Sequence, residues 1–199
     1  MIIRESCIQD LPYIYDICLK TGDSGKDATN FYSDKYMLGS YYAAPYIIKS
    51  PSDCFVIVDS GFVSGYILCA KNTNDFYKWM NEKWLPNIRE NYREGFTPKS
   101  ENEKSMLETI NKDCQLISSN WITDYPAHLH IDILKNLQGK GSGRKLMETL
   151  FSHLIDEKIS GIHLGVSESN KNAQEFYKKM GFVVLEKEEW GLILGKKLI

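Results

Sequence analysis

At 199 residues, 43% of them hydrophobic, the chain is long enough to fold as one domain with a sizeable core, and a single domain over 1–199 is expected. Its 24 basic and 26 acidic residues leave a net charge of −2, with the basic ones dispersed, which argues against a nucleic-acid partner. No apolar run approaches the roughly 18 residues of a membrane span, so no membrane partner is expected either.

Residues 2–7 read as a strand, and because MIIRES is already strand-patterned it is not expected to be a signal peptide. A helix over about 10–20 follows, carrying Leu11, Ile14, Tyr15, Cys18 and Leu19. Residues 22–50 are polar and then tyrosine-rich (Tyr32, Tyr36, Tyr41, Tyr42, Tyr46), which predicts a capping region of helix and loop. Two apolar runs, 54–58 and 62–70, flank Asp59-Ser60-Gly61 as a hairpin. Residues 73–118 turn aromatic and then highly charged, and predict a helical insertion before the next strand.

The stretch 128–144, HLHIDILKNLQGKGSGR, holds the sharpest signal: an apolar strand running into a glycine-rich turn and then a helix. Gln138, Gly139, Lys140, Gly141, Ser142 and Gly143 spell Q-x-x-G-x-G. Glycines let the backbone turn sharply and approach a ligand closely, and the first free N–H groups of a following helix favour an anion. The pattern is a cradle for a phosphate or pyrophosphate. It is no Walker A loop, because no window supplies the terminal Gly-Lys-Ser/Thr. The dinucleotide fingerprint also fails, since Arg144, Lys145 and Leu146 follow where a third spaced glycine is needed. Lys140, Arg144 and Lys145 sit where phosphates would bind, although a solvated helix face accounts for them equally.

Past the loop, a helix over 143–158 places Leu146, Leu150 and Leu154, with Met147 and Phe151, on one apolar face, and Gly161 is expected to end it. A buried strand at 162–166 follows, then a short helix from Ser169 with Gly181 as its stop. Strands around 183–186 and 190–196 form a closing hairpin, a candidate homodimer contact. The five cysteines are odd in number and lack a C-x-x-C pair, which argues against disulfides or zinc and fits a reducing cytoplasm. The four histidines never pair as H-x-x-x-H, so no metal is expected.

Two linked motifs, Q-x-x-G-x-G at 138–143 and N-x-x-A-x-x-F-Y-x-x-x-G-F at 170–182, together resemble the GNAT superfamily of acetyl-CoA-dependent N-acetyltransferases. The opening strand and helix look like that fold as well. Tyr125–Ile133 and the Trp79–Pro86 stretch are similar to one subgroup, stand-alone bacterial acetyltransferases akin to the acetyltransferase-like domain at the C-terminal end of some O-GlcNAcases. The resemblance implies an α/β (α+β) fold: a mixed, mostly antiparallel sheet with helices on both faces. It also implies a V-shaped splay between the two central parallel strands. It further implies acetyl-CoA as cosubstrate and a small-molecule or peptide amine as acceptor: a small amine, an amino sugar, or a peptide N-terminus or lysine.

Residue by residue, the resemblance puts the backbone amide of Ile131 against the thioester oxygen and Ile133 beside the pantetheine arm, positions that core packing alone would also explain. Gln138, Gly139, Lys140, Gly141, Ser142, Gly143 and Arg144 would hold the pyrophosphate, with Asn170 and Ala173 also at the cofactor; Asn170 is an N-cap candidate too. Tyr177 is the expected general acid for the leaving thiolate, against a packing role beside Phe176. The family's early-strand glutamate is replaced by Ala127, so the base must come from elsewhere. Asp132 leads, and His130, Glu168 and a water chain are the alternatives, since His130 and Asp132 face away from the isoleucines. Tyr41, Tyr42, Tyr46, Trp79 and Trp84 either line an acceptor pocket or fill the core of the insertion. A non-catalytic acyl-CoA-binding module and a nucleotide-binding domain are the competing classes.

Overall fold

The computed structural model describes residues 1–93 and 95–199, so position 94 of the expected insertion lies outside the described residues. Seven strands form one sheet: β1 (Ile2–Glu5), β2 (Phe55–Asp59), β3 (Phe62–Ala70), β4 (Ala127–Ile133), β5 (Gly161–Ser167), β6 (Val183–Glu188) and β7 (Gly191–Lys197). Their order across the sheet is β1-β2-β3-β4-β5-β7-β6, with β4–β5 the one parallel pair among antiparallel neighbours. The GNAT-type mixed sheet with a central parallel pair is thus realised as expected. The hairpin between β2 and β3 closes through Ser60 and Gly61, both at positive φ, which suits a two-residue turn matching the strands' twist.

Helices α1 (Leu11–Thr21), α2 (Met37–Tyr42), α3 (Ala44–Lys49), α4 (Thr73–Trp79), α5 (Leu85–Glu90) and α6 (Glu101–Asn111) join one large apolar cluster on one face of the sheet. On the other face lies α7 (Ser142–Asp156), and α8 (Lys171–Lys179) packs beside it through Phe176 and Tyr177. Leu146, Met147, Leu150 and Leu154 of α7 are fully buried, each contributing about 2 kcal/mol of transfer free energy. The 73–118 region is helical as expected, with a π-helical turn at 80–84 where Pro86 lacks the N–H needed to continue the ladder.

Two boundaries differ from expectation. The first strand stops at Glu5: Ser6 N–H makes a last in-register bond to the Cys54 carbonyl, and Cys7 then turns its N–H to the Asp10 carboxylate. Helix α7 is closed by Lys158 at φ 60°, with Ile159 N–H donating to the Leu154 carbonyl, and not by Gly161. Gly161 instead begins β5, where a Cβ would lie 2.5 Å from the Asp124 carbonyl oxygen.

Candidate active site

Only Ala127↔Ile162 and His128↔His163 pair between β4 and β5; beyond them the strands part. The phase of the β3–β4 ladder fixes what faces the gap. Leu134 N–H donates to the Ser64 carbonyl, so Asp132 and His130 exchange hydrogen bonds with β3. The N–H and C=O groups of Ile131 and Ile133 therefore point the other way, toward the opening. The Ile133 carbonyl accepts from Gln138 Nε2 at 2.8 Å, which ties the loop back onto its own strand.

The loop's glycines divide their work. Gly139 (φ 72°) and Gly141 (φ 79°) occupy the left-handed region, and a Cβ on either would meet nothing within 4 Å, so the concave side of the turn is open. Gly143 serves packing, since a Cβ there would come 3.1 Å from the Phe176 ring and push α7 off α8. The N–H groups of Ser142, Gly143 and Arg144 precede the first intrahelical bond, Lys145 N–H to the Gly141 carbonyl, and present a positive helix end to the loop. Lys140 and Arg144 are exposed beside it, whereas the Ser142 hydroxyl is buried against Met1 Sδ. An anion fits this geometry.

Helix α8 is fixed at both ends. Asn170 caps its start by accepting from Ala173 N–H at 3.1 Å. At its end Gly181 is left-handed (φ 84°); Gly181 N–H donates to the Lys178 carbonyl and Phe182 N–H to that of Tyr177. Tyr177 and Phe182 also pack ring to ring at 5.7 Å, the hydrophobic contact that accompanies this stop motif. The motif therefore sets where Tyr177 stands. Burial, and then the Asp132 carboxylate, push the Tyr177 hydroxyl above its ordinary pKa, so it holds its proton at neutral pH.

Asp132 is the centre of a partly buried polar network. Tyr66, fully buried, donates to its Oδ2 at 2.7 Å, and His130 Nε2 contacts the same oxygen at 3.2 Å. His130 Nδ1 donates to the Tyr42 carbonyl at 2.7 Å. With acceptors at both ring nitrogens, the protonated form of His130 is favoured: burial opposes the charge, but Asp132 and the Tyr42 carbonyl outweigh it and raise its pKa. Both protein donors fall on Oδ2, and Oδ1 has no hydrogen-bond partner among the described residues.

One cleft of about 620 Å³ collects these groups. Ile131, Asp132, Asn170, Ala173 and Tyr177 form its sheet end; Cys18, Tyr32, Tyr42 and the α6 residues Glu101, Ser105 and Met106 form the far wall. Helix α6 is pinned there by Glu103. Its buried carboxylate accepts from the N–H groups of Ser33, Asp34 and Lys99, while Ser100 caps the helix. Of the aromatics expected at an acceptor pocket, Tyr42 lines the cleft. Tyr46 is buried with its hydroxyl 2.7 Å from His128 Nε2, and Trp79 and Trp84 stack on each other against the core. Glu168 is exposed, ion-paired to Lys171, and absent from the cleft lining. Tyr66 and the α6 wall escaped the sequence reading, because their roles depend on strand register and on a helix brought in from the insertion. Among the described residues, no group of three His, Cys, Asp or Glu is placed to hold a metal, and no helix is long and apolar enough to cross a membrane.

Comparison with known proteins gives this geometry a context. The family model for the acetyltransferase (GNAT) family matches residues 24–182. A solved structure named SsHAT is 30% identical over the whole of this chain and 98% of its own, with a TM-score of 0.86. PH1933 from Pyrococcus horikoshii OT3 (18% identity, 98% and 97% of the two chains, TM-score 0.63) shares the fold. So does the PaiA N-acetyltransferase from Thermoplasma acidophilum, solved in complex with coenzyme A (16% identity, 98% of each chain, TM-score 0.61).

Proposed function

The chain belongs to the GNAT family of acetyltransferases, and on that premise we propose that it moves the acetyl group of acetyl-CoA to a primary amine by direct attack of the amine on the thioester. One observation carries the reading: Ile131, Asp132 and Tyr177 line a single cleft at the point where β4 and β5 part. The coenzyme A held by the Thermoplasma acidophilum protein of the same fold supports it.

In this reading the cradle of Gly139, Lys140, Gly141, Ser142, Gly143 and Arg144 takes the pyrophosphate on backbone N–H groups. Gln138 fixes the turn. Ile133 N–H, with Asn170 and Ala173 on the opposite side, guides the pantetheine arm like an added strand. Ile131 N–H donates to the thioester oxygen and stabilises the charge that develops on it during attack. Asp132 Oδ1 accepts the proton of the incoming ammonium, with Oδ2 already held by Tyr66 and His130. Tyr177 gives its proton to the departing thiolate, a task suited to a hydroxyl kept protonated by burial.

We assign the chain to the subgroup of stand-alone bacterial acetyltransferases similar to the O-GlcNAcase C-terminal domain, on the strength of Tyr125–Ile133 and Trp79–Pro86. We also read it as one cytoplasmic domain over 1–199, with the β6–β7 hairpin as its candidate dimer contact. A calorimetric titration with acetyl-CoA, using NADH and ATP as controls, followed by thiol release in an amine screen, tests the proposal. Selective acetyl-CoA binding with amine-dependent thiol release is expected. Binding without turnover on any amine would favour the non-catalytic module, and no binding would overturn both.

A further inference from the structure

A second cavity, of about 380 Å³, opens on the same sheet face and shares Gly165 with the main cleft. Trp190 lies over Gly165, where a Cβ would approach its ring to 2.6 Å, so the glycine is what lets the indole rest on β5 between the two cavities. Trp121, Trp190 and Tyr77 supply aromatic walls; Gln115, Ser118 and Ser119 are neutral polar residues of the lining, and its acidic and imidazole groups are Glu186, Glu188 and His163.

The two glutamates and the histidine are suited to accept. Glu186 Oε2 takes hydrogen bonds from Trp121 Nε1 at 2.8 Å and the Ser119 hydroxyl at 3.1 Å, neutral donors that leave its charge uncompensated. Neither Glu186 nor Glu188 has an ion-pair partner among the described residues, and no lysine or arginine lines the cavity. His163 is 4% exposed. Its Nδ1 faces the Tyr125 carbonyl at 2.8 Å and must carry the hydrogen, so its Nε2 bears a lone pair, with no hydrogen-bond partner among the described residues. Burial pushes this histidine down to about 4, against the Tyr125 and Ala127 carbonyls, and keeps it neutral. Aromatic faces, unpaired carboxylates and an imidazole lone pair open to the cavity together select a cation that bears N–H groups.

Position then links this cavity to the reaction. Gly165, Ile193 and Glu186 are paired in one row across β5, β7 and β6, which places the Glu186 backbone roughly 10 Å from Gly165 at ordinary strand spacing. Resting on the acetyltransferase reading above, we propose that the second cavity binds a second positively charged group of the acceptor, an alkylammonium or guanidinium. The acceptor class is then amines that carry another basic group at least about 10 Å away, as in long-chain diamines or basic peptides.

Two arms test this separately. In the first, propylguanidinium and its neutral isostere propylurea are titrated into the intact protein by calorimetry. The expected result is saturable binding of the cation, at least about 10-fold tighter than the urea, abolished in Glu186→Gln. That variant keeps an amide oxygen for Trp121 and Ser119; Glu188→Gln, at an exposed position, is the second variant, and is expected to weaken binding without threatening the fold. Equal binding of both probes, no binding, or binding unchanged in both variants would overturn the cation site. In the second arm, diamines of increasing length are compared with monoamines of the same length as acetyl acceptors. A lower KM for the longer diamines at similar kcat, erased by Glu186→Gln, supports the proposal; equal KM values overturn the link to the acceptor. Failure of every amine to be acetylated would sink the acetyltransferase reading itself, while the first arm still decides the cavity.

Discussion

The glycine loop and the Asp132 network both lie toward the C-terminal end of β4, and they are built on opposite principles. The loop is made of backbone: two left-handed glycines, a helix start and an open concave side, with the nearby charged side chains exposed to solvent. The network joins three separated segments: the Tyr66 side chain of β3, the His130 and Asp132 side chains of β4, and the Tyr42 carbonyl of α2. A backbone site tolerates variation in every side chain except where a Cβ would enter it. A side-chain site depends on the identity of each member and on the register that brings them together. The difference implies that substitutions should separate cofactor affinity from chemistry.

The largest effect is expected where bulk enters the cradle. Gly141→Glu forces a carboxylate into an anion site and a non-glycine into a left-handed conformation costing about 1 kcal/mol. Acetyl-CoA affinity should fall at least ~100-fold by calorimetry with the fold retained; unchanged affinity would break the contrast at its first term. Next, Asp132→Asn should lower kcat/KM by roughly 1,000-fold without altering acetyl-CoA affinity, because an amide cannot take the ammonium's proton. Tyr177→Phe should reduce kcat by about 100-fold, again with cofactor affinity spared; a matching loss of affinity would move Tyr177 to the cofactor side of the comparison. The smallest effect concerns His130. Its folded pKa is raised above that of a free histidine, about 6.5, so its stabilising contribution is complete below that pH and is lost as pH rises through the folded value. Replacing it with Gln should cost about 1 kcal/mol near pH 6, and the gap in melting temperature from the parent should narrow as pH increases.

The same contrast explains what could be read from the sequence. The loop, the α8 motif and the parallel β4–β5 pair were legible because each is local: a spacing of glycines, a cap and a stop, two apolar strands around an amphipathic helix. Asp132 and His130 were visible as polar residues out of place in an apolar strand. Tyr66 was not, since it is one apolar-type residue in a strand of nine and only the Tyr66↔Asp132 register gives it a partner. The stop of α7 at Lys158 is not legible, because lysine rarely adopts positive φ and nothing in its neighbours signals that Lys158 does, whereas Gly161 offers the usual stop residue. The far wall of the cleft is hidden for a different reason. Its position rests on Glu103, a charged residue in a charged helix, whose burial depends on three N–H groups presented by the 33–34 turn and Lys99.

The two-pair ladder between β4 and β5 has a consequence for how this molecule keeps company in a crowded solution. Unpaired strand edges are adhesive, and most proteins confine them to the rim, blunted by charge or proline. Here an adhesive edge sits in the middle of the sheet, closed at its foot by Ala127 and His128 and flanked by Asn170, Ala173 and Tyr177. A foreign strand cannot enter a wedge that narrows to a closed ladder, whereas a slender, extended molecule can lie along it. Hunger for a partner strand, elsewhere a route to aggregation, is turned inward and screened by shape.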